Sequence, residues 1–271
     1  MLSSPARAHR LSLAIVVPMS NFPPDSKLAT KVVSSPNHDA RNGNLDIIVL
    51  HYTGMTSGKD AVSRLCEPAS KVSCHYVVFE DGAIVQLVPE ARRAWHAGVS
   101  VWKEDNDINA RSIGIEIVNP GHDLGYPDFP AAQIAAVIAL SRDIIARRPI
   151  PPEHVLAHSD VAPARKNDPG EKFPWRQLSE AGVGIWIEPH PIKAGPVLKP
   201  GNSGEAVSKL QAALATFGYG IATTGRYDEA TRKVVVAFQR HFRPARVDGI
   251  ADVSTIETLR SLIDATKKLR S

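Results

Sequence analysis

The chain has 271 residues, room for one large domain or two modest ones, and its 43% apolar content is ordinary for a globular protein in water. No apolar run approaches the ~20 residues of a membrane-spanning helix, and no basic cluster with interleaved aromatics points to nucleic acid. The formal charge of +4 fits an anionic polymer partner and a plain solvated surface equally well, while two cysteines are too few for a disulfide scaffold or a cysteine-based zinc site.

Residues 1–44 are polar and rich in Pro, Ser and Asn, and are expected to lead in as an arm. Within them Leu11–Val17 follows a basic flank, Arg7-Ala-His-Arg10, as a secretory signal would. That run is short, is broken by Pro18 and precedes no convincing cleavage site, and Met19 reads as an alternative start. The compartment stays open between periplasm and cytoplasm, with the balance on the cell envelope.

Further along, Ile47–Leu50 predicts a buried strand ending on His51. Ser57 can cap a short helix carrying Ala61, Val62 and Leu65 on one side. Cys66 and Cys74 read as two reduced, partly buried thiols, with a local bridge left open. Strand-like runs at 75–80 and 83–88 flank Asp81-Gly82, a strong hairpin signal. In Ser112–Val118 the isoleucines at 113, 115 and 117 share one face, which turns Gly114 and Glu116 to the other. Gly114 is expected to leave room beside Glu116 for a ligand. Gln133–Arg147 reads as a helix with Ile134, Val137, Ile138 and Ile145 toward a sheet, and Val155–Ala157 as a short strand delivering His158. Strands interleaved with helices, one hairpin among them, predict an α/β fold: a mixed central β-sheet with helices packed on it.

Pro189, Pro191, Pro196 and Pro200 then punctuate a run without period, expected to be a linker over 189–196. Beyond it, three apolar stripes predict a small all-α three-helix unit over 197–271. The first stripe is Val207, Leu210, Leu214 and Phe217. The second is Val234, Val235 and Phe238 behind an Asp228 cap, and the third is Ile256, Leu259 and Ile263 with Ser254 and Glu257 as a capping box.

The densest chemistry lies between His158 and Trp175. An imidazole and the Asp168 carboxylate stand ten positions apart in a polar, Pro-rich loop, with Lys166 two before the carboxylate. Together with His51 they supply two histidines, one aspartate and an open position, the donor set of a catalytic zinc site, and Glu116 is a base for it. Each residue alone has a blander reading. A strand-end histidine is usually structural, Asp168 would be a turn residue before Pro169, Lys166 a solvated charge, and Asp160 a cap of the His158 loop.

Taken together, His51-Tyr-Thr, Ser73-Cys-His75-Tyr76, Trp95-His96-Ala97-Gly98, Ser112-Ile-Gly-Ile-Glu116 and the His158–Trp175 loop occur in an order that resembles the zinc-dependent N-acetylmuramoyl-L-alanine amidases of the type 2 family, over about residues 45–176. That family shares its fold with peptidoglycan recognition proteins. The resemblance implies an amidase domain over 45–188, Zn2+ on His51, His158 and Asp168, general-base duty for Glu116 and oxyanion stabilisation by Lys166. It further implies that His96, Trp95 and Asn119 line the substrate groove, with His75 structural or supporting the ligands. Downstream, Gly201-Asn-Ser-Gly204, Leu210-Gln211, Gly218-Tyr219, Phe238-Gln239 and Asp248-Gly249 resemble the three-helix peptidoglycan-binding domain of wall hydrolases. That second resemblance implies a unit that attaches a monomeric enzyme to peptidoglycan or muropeptides without doing chemistry. Two alternatives remain at this level. A non-catalytic recognition protein on the same fold would lack a ligand or the base, all of which this chain keeps. A cytoplasmic amidase recycling anhydro-muropeptides would need no polymer anchor.

Overall fold

A computed structural model describes residues 22–270, so the apolar run at 11–17 and Met19 lie outside the described residues. The chain opens with two short strands, β1 (Lys31–Val32) and β2 (His38–Ala40), then the buried strand β3 (Ile47–Tyr52). Helix α1 (Gly58–Cys66) starts where Ser57 accepts the Asp60 amide, as its cap position predicts. Strands β4 (Tyr76–Val78) and β5 (Ile84–Gln86) form the hairpin around Asp81-Gly82, shorter at both ends than expected, followed by β6 (Arg92–Ala94). Next come α2 (Ile108–Arg111), β7 (Ser112–Ile117), α3 (Ala131–Arg147), β8 (Val155–Ala157), α4 (His158–Val161) and α5 (Trp175–Glu180). The C-terminal unit holds α6 (Glu205–Phe217), α7 (Glu229–Phe242) and α8 (Val253–Arg270).

Six strands make one mixed sheet in the order β1-β5-β4-β7-β3-β8, in which β3 is parallel to both β7 and β8. The lead-in is more than an arm. β1 pairs with β5, β2 pairs with β6, and the Asp25 carboxylate accepts hydrogen bonds from Gln86 Nε2 and the Glu90 amide. Pairing with β1 satisfies backbone groups that β5 would otherwise present at an open sheet edge. The exposed side chains of these strands gave no alternation from which to read them.

Each sheet face has its own cover. Ile113, Ile115 and Ile117 join Ile48, Leu50 and Ala157 against Ile134, Val137, Leu140 and Ile144 of α3. On the opposite face, Ile47, Val49 and Leu156 belong to the same apolar core as Trp102 and the inward stripes of α6, α7 and α8. Trp102 is fully buried, edge-on to both Phe217 and Tyr219. The helical unit is therefore one layer of the fold. The proline-rich run before it does not swing free either: the His190 amide donates to Thr258 Oγ1, and Ser254 Oγ donates to the His190 carbonyl. That use of Ser254 displaces the expected capping box. Asp252 takes the role instead, accepting the Thr255 amide at 2.8 Å. Cys66 and Cys74 are both free thiols.

A shared core predicts a single cooperative unfolding transition for the two units. Trp102→Ala should cost about 3–5 kcal/mol and lower that one transition. Two independent calorimetric peaks, with only one moved by the substitution, would contradict the shared core.

Candidate active site

Parallel pairing of β3 with β7 sets His51 directly beside Glu116. Neighbours across a parallel ladder project to the same face, so the isoleucine alternation of β7 turns both side chains away from α3. β8, on the other side of β3, ends at Ala157 and hands over at once to α4, whose first residue is His158. The loop that follows folds back through the Ser159 amide, which donates to the Asp168 carbonyl at 3.0 Å, and the Lys166 amide, which donates to the Ala162 carbonyl.

Three ligand-capable atoms converge there. His51 Nδ1 lies 2.8 Å from His158 Nδ1 and 3.1 Å from Asp168 Oδ2, and His158 Nδ1 lies 2.9 Å from the same oxygen. All three residues are buried, and they are the one such trio of His, Cys, Asp or Glu among the described residues. Metal–ligand bonds of about 2.0–2.2 Å put tetrahedral ligand atoms roughly 3.3–3.6 Å apart, so the trio would open by roughly 0.2–0.8 Å per pair to take an ion.

The surrounding hydrogen bonds decide which nitrogen of each ring offers its lone pair. Ser112 Oγ donates to the Ile108 carbonyl and therefore accepts from His96 Nε2–H at 3.1 Å. His96 Nδ1 is then an acceptor, and His51 Nε2–H donates to it at 3.0 Å, which leaves His51 Nδ1 unprotonated toward the trio. His158 Nε2 donates to the Ala97 carbonyl at 3.0 Å, with the same result for its Nδ1. Such orienting partners behind metal-binding histidines raise ligand basicity and hold the ring plane.

Glu116 and Lys166 face this trio across a cleft of about 300 Å³, whose walls include Tyr52 and Trp95. Glu116 Oε2 is sealed from solvent and has no hydrogen-bond partner among the described residues. Burial, and then the Asp168 carboxylate, push the Glu116 carboxyl well above the usual range, with Lys166 pulling it back. Burial alone would raise Asp168 too, but His158 and His51 hold it far below a normal carboxyl. Burial lowers His51 to about 4 and, away from the trio, His75 to about 3. An unpaired carboxylate oxygen, a nearby cation and three converging donors suit activation of a water molecule beside a polarised carbonyl.

The groove residues read from sequence fare unevenly. Trp95 lines the cleft and is steadied by its indole N–H, which donates to Asp39 Oδ2 at 2.7 Å. His96 reaches the cleft wall, but it is buried and its two ring nitrogens are spent on His51 and Ser112. Asn119 does not line the cleft. Its Nδ2 donates to the Pro127 carbonyl and its Oδ1 accepts the Gly121 amide, so it shapes the loop after β7. Gly114 does not make room for a ligand. A Cβ there would lie 2.4 Å from His96 Cγ, so the space is already taken by that ring.

With this geometry in hand, a family model described as N-acetylmuramoyl-L-alanine amidase matches residues 41–171, and one described as putative peptidoglycan binding domain matches residues 203–259. The N-acetylmuramoyl-L-alanine amidase AmiD of Escherichia coli is 38% identical over 233 residues, covering 81% of this chain and 83% of the relative. The chain belongs to the N-acetylmuramoyl-L-alanine amidase family. Among solved structures, the complex of E. coli AmiD with anhydro-N-acetylmuramic acid-L-Ala-D-gamma-Glu-L-Lys superposes with a TM-score of 0.71 at 35% identity, covering 84% of this chain and 92% of that one. AmpDh3 of Pseudomonas aeruginosa gives 0.68 at 33% identity, covering 82% and 92%. The 1,6-anhydro-N-acetylmuramyl-L-alanine amidase AmpD of Citrobacter freundii is 36% identical over 166 residues, 54% of this chain and 86% of the relative.

The sequence left open the partners of several residues that support this amidase site. His75 takes the Gly114 amide on Nδ1 at 2.9 Å and so pins the strand next to Glu116. The Arg41 guanidinium caps the carbonyls of Asn109, Ala110, Arg92 and Ser112. His122 meets the Tyr52 hydroxyl on one nitrogen and Glu171 on the other. Ser112 and His96 both sat in quoted motifs, Ser112 without a role and His96 read as a groove residue rather than as the partner of His51.

The depressed histidines predict an acid limit for the metal-free protein. Their folded pKa values lie below the unfolded value of 6.5, so the unfolded chain binds more protons in between. Their full contribution to stability is present above pH ~6.5 and falls by about 1.4 kcal/mol per pH unit for each imidazole, down to about 4 for His51 and about 3 for His75. Urea midpoints of chelator-treated protein at pH 7, 6 and 5 measure this, and a flat profile would contradict it.

Proposed function

We propose that this chain hydrolyses the amide between the lactyl group of N-acetylmuramic acid and L-alanine in peptidoglycan or its fragments, with zinc held by His51, His158 and Asp168. The observation that carries the reading is the convergence of His51 Nδ1, His158 Nδ1 and Asp168 Oδ2 on the cleft that Glu116 and Lys166 face. Bound zinc would supply Lewis acidity and a water acidic enough to attack near neutral pH. Glu116 takes the proton of the attacking water and passes it to the departing L-alanine amine, which an amide needs because its nitrogen leaves poorly unprotonated. Its raised proton affinity suits the second half of that cycle, and the adjacent Lys166 keeps the carboxylate form accessible for the first. The Lys166 ammonium forms no ion pair among the described residues, which leaves it available where the carbonyl oxygen gains negative charge. Residues 45–188 carry this chemistry, and residues 197–271 bind the polymer.

Glu116→Gln should keep zinc and substrate binding yet lower turnover by about 10²–10⁴-fold, the usual contribution of a positioned base. His158→Ala should lose the metal along with activity. The measurements are zinc content and product mass spectrometry on a muramyl-L-alanine peptide and on sacculi. Full zinc in His158→Ala removes that residue from the ligand set, and near-normal turnover of Glu116→Gln removes the base.

A further inference from the structure

The turn that carries His158 is held from behind by the C-terminal unit. Asp160, two residues beyond His158 and fully buried, accepts the Ala157 amide on Oδ2 at 2.8 Å and so closes the first turn of α4. Its other partners come from the far unit. The Tyr219 hydroxyl, just past α6, donates to Oδ1 at 2.7 Å, and His241 Nδ1 of α7 lies 2.7 Å from Oδ2. His241 is itself clamped, its ring 3.7 Å from that of Trp175 and 3.8 Å from that of Phe242. A buried carboxylate deprived of its donors is costly, so without these two partners α4 would have to rearrange to solvate Asp160.

The preceding residue of α7 reaches the cleft by a second route. Arg240 Nε donates to Glu171 Oε2 at 3.3 Å, Glu171 meets His122 Nε2 at 3.1 Å, and His122 Nδ1 meets the hydroxyl of Tyr52, a cleft residue, at 3.0 Å. Successive residues of one helix in the far unit thus brace a metal-binding turn and a cleft wall.

We propose that Tyr219 and His241 are positioning residues of the amidase site: through Asp160 they fix the orientation in which His158 presents Nδ1, so the C-terminal unit contributes to metal affinity and turnover as well as to attachment. The proposal rests on His158 being a zinc ligand. It differs from the role the sequence implies for residues 197–271, which is attachment alone.

The test uses the full-length zinc enzyme with Tyr219→Phe and His241→Phe, which remove the donors and keep the aromatic packing, singly and together. Phe217→Leu serves as control: Phe217 packs on Trp102 and beside the Tyr219 ring in the same interface, so it perturbs the packing while leaving both donors to Asp160 in place. Three quantities are read: zinc affinity by chelator competition, hydrogen exchange of the Ala157–Asp160 amides in metal-free protein, and kcat and KM on a soluble muramyl-L-alanine peptide. The expected result for the double variant is a 10–100-fold loss of zinc affinity, the range seen when a ligand's supporting partners are removed. Faster amide exchange and a lower kcat at little-changed KM should accompany it. Phe217→Leu should lower Tm while leaving zinc affinity and kcat near wild type. Wild-type zinc affinity and kcat in the double variant would overturn the proposal, and so would a control that loses both in proportion to its Tm. Failure of the underlying ligand assignment looks different, because His158→Ala would then retain its zinc.

Discussion

Everything at the site depends on the parallel register of β3 with β7. Because His51 stands beside Glu116 in that ladder, a donor atom and an unpaired carboxylate share one face without any loop having to bring them together. A slip of one residue would put the two on opposite faces, either burying Glu116 among the isoleucines under α3 or turning His51 away from His158. The register is defended from both sides of the sheet. Ile113, Ile115 and Ile117 lock one face, and on the other the His96 ring fills the space over Gly114, where no larger residue fits.

Built this way, the site is stiff where it must bind and open where it must react. The rings of His51 and His158 are oriented by a serine, a third histidine and a backbone carbonyl, all pointing outward from the trio. Glu116 and Lys166 are held by strand and loop geometry, with their reactive atoms left unpaired. The three converging donor atoms and the unpaired carboxylate are thus held by different neighbours in the same pocket.

Much of this was legible in the sequence, and for identifiable reasons. The β7 alternation placed Glu116 on the correct face, Asp81-Gly82 marked the hairpin, and Ser57 marked the start of α1, since each is a local rule with a local outcome. The short strands β1 and β2 were not legible, because edge strands with exposed side chains carry no apolar period. Asn119 and Gly114 were misplaced for a related reason: the partners that decide their roles, Pro127 and His96, are non-local. The same holds for the C-terminal unit. Its helical stripes were read correctly as core, but a stripe does not say which second surface completes that core, and here the sheet itself does.

The carbonyl of Ala97 has one further consequence. It accepts both His158 Nε2–H and the Arg165 guanidinium, so both of its lone pairs are engaged. The partner of the His158 ring is thus a main-chain atom, and no substitution at position 97 can replace it. What can change it is the direction of the peptide, which is set by Gly98 in the left-handed region with φ +60°. The hydrogen bonding of the His158 ring is therefore tied to the conformation of a neighbouring glycine, and drift in it should come through the backbone turn rather than through the residues that face the cleft.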